Sequence, residues 1–103
     1  MGNYGKVQPE DKKALKLLIR EFKSKAFHCG IHGTSLWNKN YKDIDILVFS
    51  VINRSKSFIE VIENLIKKMG FKLLYKKGTK DAGLDYEMEK GNCIFHISYV
   101  ILL

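Results

Sequence analysis

Gly30-Ile-His-Gly-Thr-Ser-Leu-Trp37 leads, across the polar stretch Asn38-Lys-Asn-Tyr-Lys42, into Asp43-Ile-Asp-Ile-Leu-Val-Phe49. The last of these segments is β-branched and apolar except for two carboxylates at its entrance, which predicts a central strand. Alternation along it turns Ile44 and Ile46 to the core and places Asp43 and Asp45 together on the opposite face. Two like charges that close need a cation. A rigid carboxylate pair suits a hard, oxygen-seeking ion such as Mg²⁺, with phosphates and water completing its shell. The competing reading is a strand edge that displays two solvated acids. Upstream, Ala26 to Ile31 is short and apolar and predicts a buried strand. Gly33, Thr34 and Ser35 then lie where that strand passes into a helical turn at Leu36-Trp37. Small residues there let backbone N–H groups approach a phosphate, and hydroxyls add donors.

Working outward, Pro9, Glu10 and Asp11 make a first helical turn, and Leu15, Leu18, Ile19 and Phe22 follow on one face. The pattern predicts a helix from Pro9 to Ser24, with Lys12, Lys13, Lys16 and Lys23 on its wet side. Further on, Ser57 and Glu60 form a capping box ahead of Phe58, Val61, Ile62, Leu65, Ile66 and Met69, a second helix that Gly70 stops. Three strands are expected after it: Phe71 to Lys76, Leu84 to Glu89 in strict alternation, and Cys93 to Leu102, with a hairpin at Lys90-Gly-Asn92. This order predicts an α/β (α+β) fold, one mixed sheet of about five strands with helices packed against it. Residues 1–103 make a single domain, with disorder expected only over 1–7 and 78–83.

The composition agrees with a small folded domain: 103 residues, 46% hydrophobic, 12% aromatic and one proline, which excludes disordered and collagen-like classes. The net charge of +7 favours polyanionic partners such as nucleotides or RNA. It is concentrated early, with nine Lys and Arg against three acids over 1–42 and nine against eight over 43–103. A solvated lysine-coated helix would give the same bias. Cys29 and Cys93 form no C-x-x-C pair and suggest neither a zinc site nor a disulfide framework. Two reduced thiols fit a cytoplasmic protein. No apolar run is long enough for a membrane span, so no membrane partner is expected.

Alternation also sorts the later strands. Asp85, Glu87 and Glu89 share one face, first of all as a solvent-facing acidic stripe. Ile94, His96, Ser98 and Val100 lie opposite Phe95, Ile97, Tyr99 and Ile101, which can set His96 near the Asp pair as a base or ligand. A strand histidine is otherwise simply hydrogen-bonded.

His32-Gly-Thr-Ser35 ahead of Asp43-Ile-Asp-Ile46 resembles the signature of the polymerase β-like nucleotidyltransferase superfamily: a hydrophobic residue, Gly, then Gly or Ser, and after a loop Asp-hydrophobic-Asp-hydrophobic. Gly33-Thr-Ser-Leu36 before Lys42-Asp-Ile-Asp45 is similar to the small bacterial and archaeal members of the abortive-infection and antibiotic-modifying type. The resemblance covers most of residues 9–103. It implies Mg²⁺-dependent transfer of a nucleoside monophosphate from ATP or another nucleoside triphosphate to an acceptor. Asp43 and Asp45 would be the catalytic metal ligands, holding two ions in an active enzyme, and Gly33, Thr34 and Ser35 would cradle the β- and γ-phosphates. The family's third carboxylate falls on a neighbouring strand, where this chain has Gly91-Asn-Cys-Ile-Phe-His-Ile-Ser98. His96, Glu87 and Asp85 are the candidates for that third position. An RNA or protein acceptor would be held by a homodimer, by a partner chain, or by a groove lined by Lys39, Tyr41 and Lys42. The alternative on the same fold is a degraded nucleotide- or RNA-binding module, or an antitoxin-like interaction subunit.

Overall fold

In the computed structural model, which describes residues 4–102, the first helix runs as the apolar spacing predicts. Helix α1 spans Pro9–Ser24, with Pro9 in its first turn, Glu10 and Asp11 at its positive end, and Ala14, Leu15, Leu18, Ile19 and Phe22 buried. Its end differs from the expected strand start at Ala26. Phe27 N–H reaches Phe22 C=O and Ala26 N–H reaches Lys23 C=O, the paired bonds of a Schellman stop. Ala26 takes the left-handed position, at φ 63°, and Phe27 folds back edge-on to Phe22 with ring centroids 5.8 Å apart. Strand β1 therefore begins two residues later, as His28–His32.

A single 3-10 turn, Thr34–Leu36, and strand β2, Asp43–Ser50, follow. Helix α2, Ser55–Lys68, starts ahead of the predicted capping box, and no side chain caps it from the N-cap position. Asn53 Oδ1 instead accepts the Ser55 N–H at 3.0 Å, so Ser57 already lies inside the first turn. Strand β3 is Lys72–Thr79, β4 is Gly83–Lys90 and β5 is Cys93–Ile101. The segment 78–83, where disorder was expected, is a hairpin. Gly78 has φ 101°, and a Cβ there would strike the Gly83 carbonyl. Lys80 C=O accepts bonds from Asn53 Nδ2 at 2.7 Å and Ser55 Oγ at 2.6 Å, which ties the hairpin tip to the start of α2. Of the 1–7 segment, residues 1–3 lie outside the described residues, and Val7 is buried in the core.

The sheet order is β1-β2-β5-β4-β3. β2 and β5 pair in parallel and every other pair is antiparallel, so the fold is α+β with a five-stranded mixed sheet and two helices. Ile44, Ile46 and Val48 of β2, Phe95, Ile97 and Tyr99 of β5, and Leu84, Tyr86 and Met88 of β4 join the helix side chains in one core. Phe58 is its centre, stacked on Phe22 at 5.3 Å and on Tyr99 at 4.9 Å. Each such ring pair adds about 0.5–1.5 kcal/mol beyond burial. The buried Tyr99 hydroxyl is satisfied by Ser50 Oγ at 2.6 Å and by the Arg54 N–H at 2.8 Å, which fixes the link between β2 and α2. Strict alternation leaves Asp43, Asp45, Leu47 and Phe49, and with them Ile94, His96, Ser98, Asp85, Glu87 and Glu89, half-buried on the face away from this core. That face carries the polar chemistry. Among the described residues no helix is long and apolar enough to cross a membrane.

Candidate functional site

The register decides which residues meet on the uncovered face. Asp45 is the cross-strand partner of His32 on β1 and of His96 on β5, and His96 is in turn the partner of Glu87 on β4. His32, Asp45, His96 and Glu87 thus form one row across four strands. His96 stands between two acids, with Nδ1 3.4 Å from Asp45 Oδ1 and Nε2 3.5 Å from Asp85 Oδ1. Asp85 also accepts a bond from Ser98 Oγ at 2.7 Å. The acidic stripe of β4 is therefore not uniformly solvated: Asp85 is engaged across the strand pair.

The turn before β2 closes onto the same carboxylate. Gly33 has φ 83° and ψ −158°, and a Cβ built there would collide with the Asp45 carboxylate. Only glycine combines that backbone with so close an approach. The turn is held by Trp37 and Asn38 N–H groups on Thr34 C=O and by Lys6 N–H on Ser35 C=O at 2.8 Å. Thr34 is exposed. Ser35 is drawn inward, 1% exposed, and its hydroxyl has no partner among the described residues. Of the three expected phosphate ligands, Gly33 lies against Asp45, Thr34 is exposed at the surface and Ser35 is buried.

Asp43 opens β2 on the same face as Asp45 and lies near a second polar group. Its charge and that of Asp11 act on Cys93, whose thiol is pushed up to about 12, first by burial and then by Asp11. Tyr41 belongs to this group rather than to an open acceptor groove with Lys39 and Lys42. Its hydroxyl accepts the Gln8 N–H at 2.9 Å and donates to Asp11, and burial with Asp11 raises it to about 12. Both acids are neutral in the fold at pH values where their unfolded counterparts, near 9 and 10, ionise. A raised folded pKa contributes stability that is present below the unfolded value and lost as pH climbs to the folded one. The urea midpoint is thus expected to fall steadily between pH 9 and pH 12, and a Cys93→Ser Tyr41→Phe variant is expected to flatten that decline.

Among the described residues no group of three or more His, Cys, Asp and Glu side chains could hold a metal ion. The imidazole of His96 lies between Asp45 and Asp85 and presents opposite nitrogens to them. Two carboxylates remain on one strand face, Asp43 and Asp45. That is a sufficient protein share for Mg²⁺, which keeps waters and takes its other ligands from substrate phosphates rather than from an all-protein cage.

The chain matches no family model, no curated protein and no solved structure. What points to a function is therefore the row of side chains and the turn above it. Sequence reasoning placed Asp43, Asp45 and His96 on their faces but missed that His32 flanks Asp45 and that Ser98 engages Asp85. Both depend on which strands are neighbours, which alternation within a strand does not encode.

Proposed function

We propose that the uncovered face is a nucleotidyltransferase-type site that binds a nucleoside triphosphate with Mg²⁺. The observation that carries this reading is the seating of the Gly33 turn directly against Asp45, which brings a glycine turn beside a carboxylate that could share a metal ion with Asp43. Asp43 and Asp45 would hold the ion. When bound, it would neutralise phosphate charge and lower the pKa of an acceptor hydroxyl. Gly33 and Thr34 would cradle the terminal phosphates, with Ser35 buried as part of the turn's support. In the transfer, the acceptor hydroxyl gives up its proton to water and its oxygen bonds to the α-phosphorus as the bond to the β-phosphate breaks and pyrophosphate leaves. The acceptor, an RNA or protein, is brought by a second copy or a partner chain. Such chemistry belongs to the cytoplasm, where triphosphates and Mg²⁺ are supplied and two free thiols persist.

A second reading, a nucleotide-binding module with little turnover, is favoured by His96. It takes the place beside Asp45 where the third carboxylate is needed. Incorporation of labelled nucleotide separates the two. The wild-type chain is expected to bind triphosphate and transfer slowly, and His96→Asp is expected to speed transfer more than Ser98→Asp, because Ser98 pairs with Leu47 rather than with Asp45. Fast wild-type transfer that survives His96→Ala and stops in Glu87→Gln would make Glu87 the third ligand. Absence of any Mg²⁺-dependent triphosphate binding would remove both readings.

A further inference from the structure

Beyond Asp45 the same face of β2 carries Leu47 and then Phe49, in steps of about 7 Å. Their partners on β1 are Gly30 and His28. His28 and Phe49 stack, with ring centroids 5.2 Å apart and planes 18° apart. Between this aromatic pair and the His32–Asp45 pair the face dips, because Gly30 has no side chain. A Cβ there would meet no atom within 4 Å. A cavity of about 690 Å³ follows the edge of β1 over these residues and reaches Lys23, Ala26 and Phe27 at the end of α1.

Gly30 is unlike Gly33. Its backbone is not in the left-handed region and no neighbour crowds it, so neither conformation nor packing requires glycine. A glycine inside a strand weakens it and often marks the close approach of a ligand. What any larger residue would remove here is the open space itself. The space is floored by Leu47, walled by two rings, and begins one strand repeat from the carboxylate. That suits a planar heteroaromatic group attached to a phosphate chain.

We infer that the gap over Gly30 and Leu47 receives the base of a nucleotide whose phosphates lie at Gly33 and Asp45. The inference rests on the proposed phosphate site and adds to it a base subsite formed by His28, Gly30, Leu47 and Phe49.

Gly30→Val tests it, because β-branched valine fits a strand and its Cβ would meet no atom within 4 Å. Calorimetric affinities for ATP and for inorganic tripolyphosphate, both with Mg²⁺, are compared in wild type and variant, with a thermal melt of each. Wild type is expected to prefer ATP by about tenfold, the scale of one base stacked on aromatic side chains. Gly30→Val is expected to erase that preference, leave tripolyphosphate binding unchanged and melt no lower than wild type. Phe49→Ala is expected to act in the same direction. A Gly30→Val variant that keeps its ATP preference, or a wild type that binds both ligands equally, overturns the subsite and leaves the phosphate site standing. A wild type that binds neither ligand removes the phosphate site and the subsite with it.

Discussion

Gly33→Ala is expected to cost several kcal/mol of folding stability and to abolish triphosphate binding, although it adds a single methyl group. Two penalties act together. A non-glycine residue held at φ 83° carries strain of about 1–3 kcal/mol, and forcing a Cβ against the Asp45 carboxylate adds a further 1–3 kcal/mol or so, as overpacking does. The second penalty can be isolated. In an Asp45→Ala background the clash disappears and the strain remains, so the cost of Gly33→Ala is expected to shrink by about half. Urea unfolding of the four proteins measures the coupling directly. An unchanged cost in that background would mean that the turn does not press on Asp45.

The paired change Asp43→Asn with Asp45→Asn is expected to lower Mg²⁺-dependent triphosphate affinity by about a hundredfold or more, about 2.7 kcal/mol. The effect should reverse without metal. Two carboxylates repel a polyphosphate, and neutral amides do not, so in a chelator the variant is expected to bind triphosphate at least as well as wild type. Titration calorimetry with Mg²⁺ and with chelator gives both signs. Equal loss under both conditions would show that the acids support the fold of the face rather than an ion. The fold is expected to survive, because both side chains lie on the uncovered face and the core side of β2, Ile44, Ile46 and Val48, is untouched.

Much of the architecture was legible because the patterns were local. The α1 bounds follow from Pro9 and the spacing of Leu15, Leu18, Ile19 and Phe22, and the exit of α2 follows from Gly70, at φ 75°. The faces of β2, β4 and β5 follow from alternation. Three features escaped for stated physical reasons. Ala26 fills a left-handed stop that composition assigns to glycine, so β1 was expected to start too early. The start of α2 is set by Asn53 and by the distant Lys80 carbonyl rather than by Ser57 and Glu60. Tyr41 looked like a free loop aromatic because Asp11 and Gln8, its partners, are a helix away. In the site, Asp43, Asp45 and Gly33 carried their own signals. Alternation also allowed His96 near the Asp pair, where it meets Asp45; its second contact, with Asp85, carried no signal, since it comes from β5 entering between β2 and β4.

That entry has a consequence for how the chain reaches its fold. Without β5, the β1–β2 and β3–β4 pairs have no neighbour in common, and a two-stranded hairpin alone is marginal in water. The parallel pairing of β2 with β5 joins segments that lie about half the chain apart, so a large loop must close before the contact returns any free energy. Strand 93–101 is synthesised after all four strands it unites. A nascent chain that has not yet released it from the ribosome already contains the Gly33 turn and both aspartates, and still lacks the strand that sets His96 beside Asp45.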